Sequence, residues 1–136
     1  TATPEIYTLS LHDALSICPD MPFQYVLANL LSDIPTASAV AFLDEEGETV
    51  SLISSQQSHD DVRIFGAYQG IFLNHLSRIL KDRVDFFSYR TESMCCYNLC
   101  VGKEYLMVLQ TETFQPIEFV RRQMEKAKKE IEEHAL

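Results

Sequence analysis

No apolar run in the chain approaches the roughly 18 residues that a membrane-spanning helix needs. No block of lysine and arginine occurs either. The 11 basic residues stand against 20 acidic ones, a formal charge of −9, and that balance gives no nucleic-acid footprint. The four glycines, Gly47, Gly66, Gly70 and Gly102, are scattered, and no glycine-rich loop ends in Lys-Ser or Lys-Thr. The phosphate cradle of an NTPase is therefore missing, and the chain is not expected to hydrolyse nucleotide itself. No Ser/His/acid grouping suggests nucleophilic catalysis. Cysteine is sparse, and Cys95, Cys96 and Cys100 crowd together. An odd cluster that tight is no disulfide framework and reads as reduced thiols in a cytoplasmic protein. The first residues lack the positive flank of a signal peptide. Neither an internal repeat nor a low-complexity segment is present.

Thr1 to Ile17 reads TATPEIYTLSLHDALSI. It resembles the translation of a universal sequencing adapter, TATTEIYTLSLHDALPI, with departures at Pro4 and Ser16. Residues 1–20 are accordingly expected to be a non-native, adapter-derived leader, with the domain running over 21–136 from Met21. Without Glu5, Asp13 and Asp20 the remainder is still acidic. A stretch of that length makes one domain that buries about two thirds of its unfolded surface.

Hydrophobic spacing divides 21–136 into eight elements. Val26, Leu27, Leu30, Leu31 and Ile34 fall at helical spacing, and Pro35 closes a first helix, α1, over 23–33. Ala39 to Leu43 is an apolar strand, β1. Asp44-Glu45-Glu46-Gly47 is a tight turn, and Glu48 to Ser54 returns as β2. Ser58, three residues before Asp61, has capping-box spacing and opens a long helix, α2. On it Phe65, Tyr68, Phe72, Leu76 and Ile79 form one stripe, widened by Ile64, Ile71 and Leu80. That stripe is broad for a helix covering one sheet, so α2 is expected to bury two sides. Gly66 and Gly70, four apart, permit a close backbone approach despite costing about 1 kcal/mol each in helix propensity. Lys81 to Arg83 ends the helix. Val84 to Tyr89 reads as β3, Met94 to Val101 as β4 and Tyr105 to Thr111 as β5. A last helix, α3, starts near Pro116. Its pairs Glu118–Arg122, Glu125–Lys129, Lys126–Glu130, Lys128–Glu132 and Lys129–Glu133 are opposite charges four apart.

This order, with the phrases AFLDEEGETVSL (Ala41 to Leu52) and IFGAYQGIFLNHL (Ile64 to Leu76), resembles the Roadblock family, named for a dynein light chain. The likeness is to the bacterial, MglB-like regulators of Ras-like GTPases. It implies an α+β fold of three layers, α/β/α, around a five-stranded antiparallel sheet of order β2-β1-β5-β4-β3. In that arrangement α2 lies on one face and the terminal helices on the other. The resemblance also implies a homodimer formed by pairing β3 with its copy and packing α2 against its copy, with Phe65, Tyr68, Phe72, Val84, Phe86 and Phe87 at the interface. Its partner would be a small Ras-like GTPase, whose own residues are rearranged without a donated arginine. Gln69, Asn74, His75 and Arg78, polar groups on α2, are the expected partner contacts.

Other groupings read as structure. His59-Asp60-Asp61 cannot converge on one metal ion, because consecutive helix positions point about 100° apart; it reads as a capped helix start. Cys96 and Cys100 share a strand face about 13 Å apart with Cys95 opposite, too far for one zinc, so they read as small core residues. His75 lacks a nucleophile to serve. No cofactor or metal is expected. The function implied is a non-enzymatic homodimeric regulator of a small Ras-like GTPase, with GTPase activation as one form. A dimeric scaffold or adaptor without effect on GTP turnover is the alternative. A small-molecule sensor is a third reading, and it requires a sizeable closed apolar pocket.

Overall fold

The computed structural model describes residues 22–55 and 57–134; the leader expected over 1–20 and the start at Met21 lie outside them. The elements are α1 (Pro22–Asp33), β1 (Ala37–Leu43), β2 (Thr49–Ser54), α2 (His59–Leu80), β3 (Phe86–Arg90), β4 (Cys95–Val101), β5 (Tyr105–Thr111) and α3 (Ile117–His134). Their order is the one expected. The strands form one five-stranded antiparallel sheet, β2-β1-β5-β4-β3.

The sheet is buried on both faces, and the period-2 alternation of its strands sorts side chains between two cores. Val40 and Phe42 of β1, Tyr97 and Leu99 of β4, and Met107 and Leu109 of β5 enter the larger core, under α1 and α3. There Phe42 stacks between Phe23 (5.2 Å) and Tyr105 (5.1 Å). Ala39, Ala41 and Leu43 of β1, Leu52 of β2, Cys96 of β4, and Leu106 and Val108 of β5 enter a smaller core under α2. The small alanines on this side let α2 come close. A Cβ added at Gly66 would meet the two methyl carbons of Leu43 at 3.1 and 3.3 Å.

Turns and caps follow the local chemistry. Asp44 Oδ1 accepts from the backbone N–H of Glu46 (2.9 Å) and Glu48 (3.0 Å), and Gly47 takes a φ of 85°. This Asx turn holds the β1–β2 hairpin closed. Ser58 caps α2 by accepting from Asp61 N–H at 3.1 Å, and Lys81, left-handed at φ 55°, ends it by donating to the Ser77 carbonyl. At the other end of the sheet Thr36, also left-handed (φ 61°), shares a hydroxyl contact with Thr113 at 2.9 Å. Gln115 donates to Thr36 and, through its backbone, to the Tyr97 hydroxyl.

Two expectations are corrected. β3 begins at Phe86, so Val84 and Asp85 precede it. After the left-handed Lys81 the chain must descend from the helix layer to the sheet, and this stretch is held by side chains. Arg83 pairs with Asp85 at 3.2 Å and donates to the Gly102 carbonyl at 2.6 Å. On α3 none of the five expected ion pairs closes within 4.0 Å, whereas Arg121 approaches Glu125 at 3.9 Å. These side chains are solvated, and such pairs contribute little.

The close seat of α2 can be tested by a matched pair. In Gly66→Ala the overpacking cost of about 1–3 kcal/mol outweighs the helix-propensity gain of about 1 kcal/mol, because Leu43 is fully buried and cannot yield. A Cβ at Gly70 would touch only the Gly47 Cα at 3.8 Å, so Gly70→Ala should raise stability by up to about 1 kcal/mol. Urea unfolding reads both, and the reverse ranking would remove the close-approach reading.

Candidate functional site

α2 meets its own sheet through few residues. Val62, Gly66 and Gln69 are its buried positions, with Phe65 and Leu73 partly buried beside them. Apart from Phe65, most of the broad apolar stripe does not lie on the sheet. Tyr68 is 64% exposed, Phe72 49% and Ile79 74%, and Ile64, Ile71 and Leu80 are also exposed. The helix therefore carries a contiguous apolar flank into solvent, a feature that marks interaction surfaces.

That flank continues onto β3. The Phe72 ring stacks against Phe87 at 5.6 Å and Tyr89 at 6.3 Å, so helix and edge strand present one aromatic surface. Among the described residues β3 is the last strand of the sheet, paired only with β4, and its backbone has a fixed polarity. Cys100 N–H bonds the Asp85 carbonyl at 2.8 Å, which makes Asp85–Cys100 a bonded pair. Bonded and non-bonded pairs alternate along an antiparallel ladder. With the register Phe87–Asn98 and Tyr89–Cys96, residues 87 and 89 point their backbone groups at β4. Phe86, Ser88 and Arg90 turn theirs to the open edge.

The expected interface residues separate. Phe72 and Phe87 stack, Tyr68 is exposed one helical turn before Phe72, and Phe65 is half-buried against the smaller core. Phe86 faces the opposite side, against the larger core, with the Arg121 guanidinium 5.3 Å from its ring. Val84 lies in the descent after α2, lining a cleft with Leu73 and Ser77 of that helix. Tyr89 was not anticipated, although its place two residues after Phe87 was the available signal.

Among the expected partner contacts, Asn74, His75 and Arg78 are exposed on α2. Gln69 is the correction, being only 4% exposed. It faces the sheet because its amide has buried groups to serve. Tyr89 donates its hydroxyl proton to Gln69 Oε1 at 3.0 Å, and the Cys96 thiol lies 3.6 Å from the same oxygen. Asn98 Nδ2 reaches the Cys96 sulfur at 3.3 Å. Burial holds the protons on this cluster. It pushes the Tyr89 hydroxyl up, with the Cys96 charge adding to the effect, and raises the Cys96 thiol from 9.0 to about 12 against weaker opposing hydrogen bonds.

Cys95 faces the larger core and Cys96 the smaller, as the strand period requires, and both are buried. Half-buried Cys100 approaches the Val84 carbonyl at 3.2 Å, and burial raises its thiol. Among the described residues no three His, Cys, Asp or Glu side chains gather as metal ligands. A cleft of about 320 Å³ lies between the C-terminal half of α2 and the hairpin turns, floored by Leu43, Leu73 and Leu106 and rimmed by Asp44, Asn74 and Arg83. It opens to solvent and is not a closed apolar chamber.

No protein-family model matches this sequence, and no curated protein matches it. Solved structures do. Myxococcus xanthus MglB superposes with a TM-score of 0.70 at 17% identity, over 82% of this chain and 92% of that one. The gliding protein MglB from Thermus thermophilus gives 0.69 at 18%, over 87% and 91%. A Roadblock/LC7 domain from Streptomyces avermitilis gives 0.71 at 11%, over 80% and 93%. The fold is that of the MglB and Roadblock/LC7 domain structures.

Two measurements test the site's interior. Gln69→Ala strands the Tyr89 hydroxyl and should cost about 1–3 kcal/mol, whereas Asn74→Ala and His75→Ala should stay within about 0.5 kcal/mol in urea unfolding. Equal costs would return Gln69 to the surface set. The raised thiol also fixes a pH dependence. The unfolded chain releases this proton near 9.0 and the folded one only near 12, so its stabilising contribution is complete below 9 and is lost as pH rises through that window. The loss from this thiol is at most about 1.4 kcal/mol per pH unit, and Cys96→Ala should reduce the slope, leaving the part due to Tyr89, Tyr97 and Cys100, which burial also raises. A wild-type urea midpoint that does not fall above pH 9 contradicts the assignment.

Proposed function

We propose that the chain is a non-enzymatic homodimeric regulator of a small Ras-like GTPase. The observation that carries the reading is the apolar flank of α2, solvent-facing and continuous with an aromatic edge strand whose outer side no described residue pairs. A lone domain gains nothing by leaving Tyr68, Phe72 and Ile79 in water, and an open edge beside them is a template for strand pairing. A second copy supplies both covers at once, α2 on α2 and β3 on β3. The likeness in fold to MglB and Roadblock/LC7 structures supports the class, but one fold hosts many functions and does not select the partner.

In this reading Asn74, His75 and Arg78 contact the GTPase, and the dimer acts by arranging the GTPase's own residues. It works in the cytoplasm; among the described residues no helix is long and apolar enough to cross a membrane. The open, partly polar cleft gives the sensor reading less support than an enclosed apolar pocket would. A dimeric scaffold shares every structural feature named, and differs only in leaving GTP turnover alone.

Light scattering should give a dimer at micromolar concentration. Phe72→Glu should weaken it by about 30-fold or more, the ~2 kcal/mol of an interface hot spot, with helix content kept. A wild-type monomer would remove the reading. Adding the chain to the Ras-like GTPase encoded nearest its gene should raise single-turnover hydrolysis about tenfold or more, short of the ~10³–10⁵ that a donated arginine supplies. Binding with an unchanged rate selects the scaffold.

A further inference from the structure

We infer that the edge strands of two copies pair in one register, antiparallel about Ser88, and that alternating arginines and aromatic rings across the junction select it. The inference rests on the homodimer proposed above and specifies what that reading leaves open.

Strand polarity limits the choices. Phe86, Ser88 and Arg90 have open backbone groups, while 87 and 89 are spent on β4. A two-fold axis at Ser88 uses all three open residues: Ser88 faces its own copy, and each Phe86 faces the other copy's Arg90. An axis at residue 87 pairs only Phe86 with Ser88 and leaves Arg90 without a partner strand. An axis at 89 pairs only Ser88 with Arg90 and leaves Phe86 hanging. The Ser88 register thus forms the most ladder bonds, and the smallest side chain of β3 sits on the axis.

Side-chain chemistry selects the same register. On the face of α1 and α3, Arg121 lies 5.3 Å from the Phe86 ring and Arg90 lies 5.8 Å from the Phe114 ring. Both distances are within the roughly 6 Å over which a cation is drawn to a ring face. Facing residues of a bonded antiparallel pair have Cα atoms about 5.5 Å apart. Each Phe86 therefore comes beside the other copy's Arg90, and the sequence across the junction becomes Arg121, Phe86, Arg90, Phe114, the last two from the second copy. Every cation then neighbours a ring, and no two like charges face one another. On the α2 face, Phe87 comes opposite the other copy's Tyr89. Phe72, stacked on both rings of its own strand, sits above Ser88, so the two Phe72 rings approach near the axis.

The test is cysteine cross-linking in a Cys18→Ser, Cys100→Ser background, which removes the thiol of the N-terminal stretch and the half-buried one of β4 and keeps a hydrogen-bonding group toward Val84. A separation of about 5.5 Å lies within the 4.4–6.8 Å Cα range of a disulfide. Ser88→Cys should oxidise to a covalent dimer nearly completely, at least tenfold faster than Phe87→Cys or Tyr89→Cys. A mixture of Phe86→Cys and Arg90→Cys chains should cross-link to each other and not to themselves. Light scattering on the uncross-linked protein runs alongside. If the protein is dimeric but Phe87→Cys or Tyr89→Cys cross-links best, or Ser88→Cys does not cross-link, the register is overturned and the dimer stands. If the parent is monomeric, both fall.

Discussion

The height of α2 above the sheet is the constraint on which the rest of the molecule depends. It is set by small residues: Ala39 and Ala41 on β1 and Gly66 on the helix, with Leu43 filling the space that a side chain at 66 would take. A helix seated this close can turn only a narrow strip toward the sheet, here Val62, Gly66 and Gln69. Its remaining large apolar residues must point sideways or outward. The same seat brings the Phe72 ring within stacking distance of β3, so one local contact determines both how little α2 buries and where its surplus is displayed.

The two faces of the sheet consequently differ in kind. The side of α1 and α3 is an ordinary apolar core, with large rings and branched chains closed against one another. The α2 side mixes alanine and glycine with Gln69, Tyr89, Cys96 and Asn98, whose polar atoms are bonded largely among themselves, with the buried Asn98 Oδ1 the one left without a partner among them. Polar groups in that position are costly unless satisfied, and once satisfied they fix orientation more firmly than methyl groups do. Gln69 therefore ties α2 to the strand that carries Tyr89, and the aromatic surface is rigid where it crosses from helix to strand.

Much of this was legible in the sequence, and the failures have physical causes. Element order, the Ser58 cap, the Asp44–Gly47 turn and the opposite facing of Cys95 and Cys96 all follow from local rules: apolar period, side-chain hydrogen bonding and strand alternation. The orientation of α2 did not follow. Its apolar arc is so wide that periodicity locates a stripe without saying which part meets the sheet, and glycine, which does meet it, carries no hydropathic signal. Gln69 was misplaced for the complementary reason. Polarity predicts exposure only when no buried partner exists, and Tyr89 lies twenty residues away in the chain. Val84 looks like strand by composition, yet a left-handed Lys81 leaves it in the descent from helix to sheet.

The pairing of β1 with β5 has a consequence for how the chain comes into being. β1 is completed at Leu43, but the strand that covers its other edge begins at Tyr105, and α1 packs on a helix that begins at Ile117. On a ribosome that makes the chain from its first residue onward, Val40 and Phe42 wait for partners until most of the polypeptide exists. Contacts so distant in sequence are closed late and slowly. Through most of its synthesis the nascent domain holds α1 and the larger-core face of the β1–β2 hairpin uncovered, a state open to aggregation.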